Sequence, residues 1–216
     1  MNNLQRFGGV AALIEAAAYA MGFGLYFIFL DSSGYVGPIQ KVAFLVKNQS
    51  IMQLGNIFIY VVFGITLVVL ALALHERLKG KSSALVQVAT VFGLIWAGLV
   101  IASGMISNIG MNKVVALYAA DPAQAASLWL AIGSVQEGLG GGNEIVGGLW
   151  ILLISWAALR ATALPAALNY IGILVGVAGV FTIVTAFEVL TAVFGLGQIV
   201  WFVWLGIVML QKHRLI

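Results

Sequence analysis

The sequence predicts an all-α integral membrane protein, a bundle of about six transmembrane helices with one or two short interfacial helices on its outer side. Of the 216 residues, 62% are hydrophobic and only 8% are charged, whereas soluble domains average about 25% charged residues. The mean hydropathy is +1.10, and the apolar residues form runs of the ~20 residues needed to cross a hydrocarbon core. A water-soluble fold of this length could not hide so much apolar surface, so the bilayer is the expected solvent.

Six apolar runs are the expected spans of a single transmembrane domain that covers residues 1–216. Charged and turn-forming residues separate the runs from one another. The predicted spans are residues 8–30, 51–74, 84–107, 140–158, 166–185 and 193–210. Between the first two spans, Gly37-Pro38 predicts the start of a short amphipathic helix that lies flat at the membrane surface.

The least regular section is 108–142. Asp121-Pro122, followed by Gln124, predicts a helix that has Asp121 as its N-cap and proline at its first position. We expect this helix to be interfacial or partly re-entrant and to end near Gly138, where a glycine run bends the chain into the fourth span. A continuous tilted helix from residue 122 to 159 is the competing interpretation.

The distribution of basic residues predicts the orientation of the bundle. If both termini are cytoplasmic, seven Lys and Arg residues face the inside and only Lys41, Lys47 and Lys113 face the outside. Because cytoplasmic loops carry the excess of Lys and Arg, this orientation is favoured over its inverse. The seven residues are Arg6, Arg77, Lys79, Lys81, Arg160, Lys212 and Arg214.

Several classes of chemistry are not expected from this composition. The chain contains no cysteine, which excludes disulfides, iron–sulfur clusters and thiolate metal sites. His75 and His213 both lie beside basic residues at the ends of apolar runs, so no metal, haem or other cofactor is predicted. The basic residues are explained by membrane topology, so no nucleic-acid partner is expected either.

Glutamates inside or at the ends of the spans are the residues most in need of an explanation, since a charge at mid-bilayer costs about 2.5–3.5 kcal/mol on insertion scales. Glu15 lies about two turns into the first span; it is either a proton or cation site, or a carboxylic acid bonded to a neighbouring helix. Glu144 follows the glycine run together with Asn143, and the two residues are either part of a ligand site or the cap of the fourth span. Glu188 lies at the turn between the last two spans, where solvent exposure is the simpler reading.

Taken together, the polar residues predict an outward-opening cavity at one end of the bundle. With the assigned topology, Asn56 and Tyr60 of the second span lie at the same end as Asn143, Glu144 and Glu188. The alternative is that helix ends are always more polar than helix centres. A cavity lined by carboxylates and amides favours a small transporter or ligand-binding protein for a cation, an amine or a proton.

Two other functions remain open at this point. The protein could be an accessory or scaffold subunit whose partners are membrane lipids, further copies of itself or a larger complex. It could also be an enzyme that acts on a lipid with paired carboxylates.

The sequence resembles a family of short bacterial multi-pass membrane proteins known only as a domain of unknown function. The matching segments are Arg6-Phe7-Gly8-Gly9, Asn143-Glu144 with Gly148-Leu149-Trp150, Pro165 before Gly172 and Gly176, and Trp201 with Trp204-Leu205-Gly206. The resemblance implies a location in the bacterial cytoplasmic membrane and implies no activity.

Overall fold

In a computed structural model of the protein, residues 3–30, 32–80, 83–141, 144–184 and 189–211 are described. Every regular element in these ranges is helical, and the predicted all-α membrane bundle is confirmed. The α-helices are α1 (Asn3–Phe23), α2 (Pro38–Asn56), α3 (Phe63–Leu78), α4 (Ser83–Tyr118), α5 (Pro122–Gln136), α6 (Ile145–Ala161), α7 (Ala166–Phe181) and α8 (Val189–Leu210). Three π-helical segments continue some of them: π1 (Gly24–Phe29) after α1, π2 (Ile57–Val62) between α2 and α3, and π3 (Glu137–Gly141) after α5.

Five helical segments within the described ranges are long and apolar enough to cross a membrane. They are Asn3–Tyr26, Pro38–Leu78, Ala84–Tyr118, Pro122–Ala161 (which runs past residues 142 and 143) and Val189–Leu210. The predicted fifth span corresponds to α7, which is apolar but has only 16 residues, ~24 Å of helix against a hydrocarbon core of about 30 Å. Large apolar side chains such as Leu174 and Ile65 point outward from the bundle, as expected of a surface in contact with lipid tails.

The main core lies between α1, α3, the first half of α4, α6, α7 and α8. Large aromatic rings fill its centre, each at most 2% exposed: Trp96, Trp150, Trp201, Phe194 and Phe202. At one end of this bundle, the Arg77 guanidinium donates to the carbonyl of Ala163 at 3.1 Å, and the Gln5 amide donates to the carbonyl of Ala73 at 2.7 Å. The first turn of α1 and the last turns of α3 and α6 therefore meet at this end, which we call the basic end.

A second, smaller core joins α2, the last part of α4 and α5 into a three-helix cap at the opposite end. Its buried residues are Val42, Leu45, Met111, Val114, Ala125 and Ala126. Because α4 has 36 residues, ~54 Å of helix, it spans both cores and is longer than the bilayer is thick. All three lysines that the sequence groups on the outside, Lys41, Lys47 and Lys113, are exposed on the cap.

The cap differs from the short interfacial pieces expected from the sequence. The helix that begins at Pro38 does not stop before the second span; it continues through π2 to Leu78, with non-helical angles only at Asn48 (φ −111°, ψ 15°). The helix that contains the predicted third span does not end near residue 107 but continues to Tyr118. Buried apolar residues of α2 and α5 pack on this extension, and that tertiary contact compensates for its polar positions.

The helix predicted at Asp121 forms as expected, with the Asp121 carboxylate accepting from the backbone N–H of Gln124 at 2.9 Å. It continues through π3 until Gly140, whose φ of +107° is a backbone conformation that favours glycine. The regular helical geometry is therefore interrupted at Gly140, before residues 142 and 143, which lie outside the described ranges, and α6 begins at Ile145.

Candidate functional site

A cavity of about 250 Å³ lies where the cap meets the bundle. Since a water molecule occupies about 30 Å³ of liquid, this space suits a small ligand. Six aromatic side chains line it: Tyr19, Phe23, Tyr26, Tyr60, Phe63 and Trp96. Glu144 is the one carboxylate that the described residues contribute to the lining.

Each of the three π segments contributes to this cavity. Tyr26 belongs to π1, Tyr60 to π2 and Gly140 to π3. A π turn inserts an extra residue into a helix, shifts the side chains that follow it, and is found frequently at functional sites. Both π2 and π3 also lie at the junction between a cap helix and a bundle helix, so the same irregularities shape the cavity and connect the two cores.

Glu144 is half-buried and occupies the N-cap position of α6 without capping it, since its side chain makes no hydrogen bond to the first helical turn. Its backbone N–H instead donates to the Thr182 hydroxyl at 3.0 Å, and that hydroxyl donates to the carbonyl of Gly179 at 2.7 Å. The close crossing of α6 and α7 holds this arrangement, because a Cβ added at Gly148 would lie 2.6 Å from the backbone nitrogen of Val180. The carboxylate is thus left to the cavity, beside the positive end of the α6 dipole.

Amide side chains of the cap hold two of the cavity tyrosines. The Gln136 amide donates to the Tyr60 hydroxyl oxygen at 3.2 Å, and the Tyr26 hydroxyl donates to the Asn56 carbonyl oxygen at 2.9 Å. The Asn56 amide in turn donates to the Ser107 hydroxyl at 3.0 Å and to the side-chain oxygen of Asn108 at 3.1 Å. Asn56 is only 2% exposed and lies behind the cavity wall, where it orients Tyr26.

The same ladder of amides continues along α2 and α4 toward the end of the cap. The amides of Gln49 and Gln53 both donate to the side-chain oxygen of Asn112, at 2.9 and 2.7 Å. Gln53 and Asn108 also exchange side-chain to backbone hydrogen bonds. These polar residues therefore have two roles: their hydrogen bonds hold α2 against α4, and those nearest the bundle also support the cavity.

Glu15 lies beneath the cavity, one helical turn along α1 from the lining residues Ala18 and Tyr19. Its side chain is 0% exposed, and neither carboxyl oxygen has a hydrogen-bond partner in the described part of the chain. Tyr19 interacts electrostatically with Glu15, with Glu144 and with Tyr60, so both carboxyl groups lie near this tyrosine. Gln198 of α8 is likewise 0% exposed, with both side-chain polar atoms unpartnered among the described residues.

The structure thus places two of the predicted site residues, Glu144 and Tyr60, in the cavity wall, Asn56 behind it and Glu15 beneath it. Asn143 and Glu188 lie outside the described residues. Sequence reasoning missed most of the aromatic wall, namely Tyr19, Phe23, Tyr26, Phe63 and Trp96, and it missed Gln198. The available signal was Trp96, a tryptophan in the middle of a span rather than at its end, where tryptophan is enriched.

The fold and this site define a multi-pass α-helical membrane protein with an aromatic-walled cavity between two cores. The chain belongs to the family described as Domain of unknown function (DUF4386), whose model matches residues 7–208. Neither the comparison with curated proteins nor the comparison with solved structures gives a match.

Proposed function

We propose that the protein binds a small organic cation, a quaternary or protonated amine, in this cavity and acts as a small transporter or ligand-binding protein. The observation that supports the proposal is the composition of the cavity wall, to which the described residues contribute six aromatic side chains and a single carboxylate. Aromatic faces attract cations through the negative face of the ring, by up to about 2 kcal/mol per contact when water is excluded. Several aromatic rings around one ammonium group are the usual solution to recognising such a cation.

The wall suits an organic cation better than a hard metal ion. Calcium and magnesium take six or more oxygen ligands, whereas the polar oxygens of this wall come from three tyrosine hydroxyls and Glu144. Two of those hydroxyls are already engaged, Tyr26 with Asn56 and Tyr60 with Gln136. An ammonium group with an apolar surface needs one counter-charge and apolar contacts, and this wall supplies both.

The proposal includes the setting of the cavity. We place the protein in the bacterial cytoplasmic membrane with the basic end and both termini in the cytoplasm, because the excess of basic residues belongs on that side. The cap, which carries Lys41, Lys47 and Lys113, then faces the outside. A cation would reach the cavity from the cap side.

The test compares choline with 3,3-dimethylbutan-1-ol, its neutral isostere, by calorimetric titration of the purified protein in detergent. One desolvated cation–π contact of about 2 kcal/mol predicts at least a 30-fold preference for choline. In Glu144→Gln, choline affinity should fall by ~100-fold, since a counter-charge at about 5 Å contributes about 3 kcal/mol at an effective dielectric constant of 20.

Glu76→Gln is the matched control. Glu76 pairs with Lys79 at 2.7 Å on the exposed surface of the basic end, so its neutralisation should leave choline affinity unchanged. Equal affinity for choline and its neutral isostere, or an undiminished affinity in Glu144→Gln, would refute the cation site. Loss of binding in both variants would show a general effect of charge rather than a site at Glu144.

A further inference from the structure

We propose that Glu15 is a proton site whose occupancy opposes cation binding in the cavity. This inference rests on the proposed function and adds a second ionic species to it. Protons and organic cations would then compete for the same protein without sharing a site.

Glu15 is enclosed too tightly to bind any cation larger than a proton. Its carboxyl group is fully buried, is not part of the cavity wall, and has no partner among the described residues. A metal ion or an ammonium group would need space and further ligands around the carboxylate. A proton needs only the carboxyl oxygen that it binds.

In the part of the chain that the structure describes, no base lies at the depth of Glu15 to balance its charge. Gly8 of α1 packs on Ala73 of α3, and Tyr19 packs on Phe63, so Glu15 lies near the level of Leu67. Several described elements pack against Glu15 or line the cavity above it. Their titratable and charged groups are Arg6 and Tyr19 on α1, Tyr26 on π1, Tyr60 on π2, His75, Glu76 and Arg77 at the basic end of α3, Lys113 and Tyr118 at the cap end of α4, Glu137 on π3, and Glu144 and Arg160 at the two ends of α6. Helix α8 has none between Val189 and Leu210. An isolated buried carboxylate is costly, so an empty cavity favours the protonated acid.

A cation in the cavity changes that balance. The cavity-lining residues of α1 and π1 run from Ala18 to Tyr26, and their midpoint, Gly22, lies ~10 Å along the helix from Glu15. A unit positive charge at that distance favours the ionised carboxylate by about 15-fold at an effective dielectric constant of 20. By linkage, the protonated acid weakens cation binding by the same factor.

The exchange is balanced in charge and atoms. The cation enters the cavity, the O–H bond of the Glu15 carboxylic acid breaks, its electron pair stays on the carboxylate, and the proton leaves to solvent. Acidification returns the proton to Glu15 and favours release of the cation. The cavity and Glu15 together would couple an organic-cation gradient to a proton gradient.

The first experiment adds choline to the weakly buffered wild-type protein in detergent and measures proton release. Choline carries a fixed charge and has no ammonium proton to lose, so every proton released comes from the protein. The second experiment measures choline affinity from pH 5 to pH 9 in wild type, in Glu15→Gln and in His75→Gln. Gln is the uncharged isostere of the protonated acid, so Glu15→Gln should keep the weak affinity, about 15-fold below wild type at high pH and equal to it at low pH.

The controls separate this inference from the proposed function. Titration of Glu144 contributes to both the wild-type and the Glu15→Gln profile, so the difference between the two profiles reports Glu15 alone. His75→Gln should match wild type, because His75 is at the basic end and its ring contacts Thr90 at 2.9 Å. Suppose that wild type binds choline, and that Glu15→Gln binds it equally well at every pH and releases as many protons. Glu15 is then not the proton site, and the cation site in the cavity stands. If wild type does not bind choline at all, the proposed function itself fails.

Discussion

Substitution of Gly148 by alanine tests the helix crossing that holds Glu144 at the cavity. A Cβ at this position would lie 2.6 Å from the backbone nitrogen of Val180 and 2.7 Å from the backbone oxygen of Gly176. Neither atom belongs to a flexible side chain, so α6 and α7 must separate to accommodate the methyl group. Such overpacking costs about 1–3 kcal/mol of unfolding free energy.

The matched control is Gly98→Ala, because Gly98 is also helical but a Cβ there would meet no atom within 4 Å. Alanine is favoured over glycine in a helix by up to about 1 kcal/mol, so this variant should be as stable as wild type or more stable. For a protein of this size, 1 kcal/mol shifts the melting temperature by about 2–4 °C. Thermal unfolding in detergent, followed by circular dichroism, should therefore move down by about 2–12 °C in Gly148→Ala and up by a few degrees in Gly98→Ala.

Gly148→Ala should also weaken choline binding, because the backbone N–H of Glu144 donates to Thr182 across the crossing of α6 and α7. A Gly148→Ala protein that melts no lower than Gly98→Ala would show that α6 and α7 do not approach closely here. Glu144 would then not be held at the cavity by this helix crossing.

Three further variants test the cavity wall and its supports. Asn56→Ala removes one accepted and two donated hydrogen bonds. At about 0.6 kcal/mol for each bond in a membrane, this substitution should lower the melting temperature by ~4–8 °C. An unchanged melting temperature would contradict the hydrogen bonds of the amide ladder. Trp96→Leu should weaken choline binding by about 10- to 30-fold, because an aromatic face of the cavity is lost. Trp156 is the control, since its half-exposed ring lies under Arg160, and Trp156→Leu should leave choline affinity unchanged. Equal effects of the two substitutions in calorimetric titration would show that choline binds elsewhere. Deletion of Phe58 removes the extra residue of π2 and displaces Tyr60, so affinity should fall by about 10-fold while deletion of Gly34, in a turn outside the helices, should have no effect on binding.

Most of the fold follows from the sequence, because hydropathy and helix caps are local signals. The apolar runs predict the bundle helices, and Asp121-Pro122-Ala123-Gln124 predicts the start of α5 from its cap alone. The full length of α4 could not be predicted in this way. Asn108, Asn112 and Lys113 are polar residues that end an apolar run. The helix nevertheless continues, because α2 and α5 pack on this part of α4 and amides of α2 bond Asn108 and Asn112.

The candidate site was harder to predict than the fold, because its wall depends on register. Glu144 stands out as a charged residue near the start of a span and Tyr60 as a polar residue in the outer half of one, whereas Phe63 and Trp96 resemble ordinary core residues in any span. The π segments are the main reason, since each one shifts the facing of the residues that follow it and none has a sequence signature like that of a cap. Asn56 shows a different error. The sequence predicts that this polar residue lines the cavity, whereas it lies behind the wall and supports Tyr26.

The most direct test of the account is to locate a cation in crystals of the protein. Tetramethylarsonium has the shape and fixed charge of a quaternary ammonium ion, and its arsenic atom gives an anomalous diffraction signal. If the cavity binds cations, one strong anomalous peak should lie inside it, over the Trp96 ring and within a few ångströms of the Glu144 carboxylate. A peak on the outer surface with an empty cavity, or no peak in the cavity at a concentration that saturates binding in solution, would contradict cation binding in the cavity.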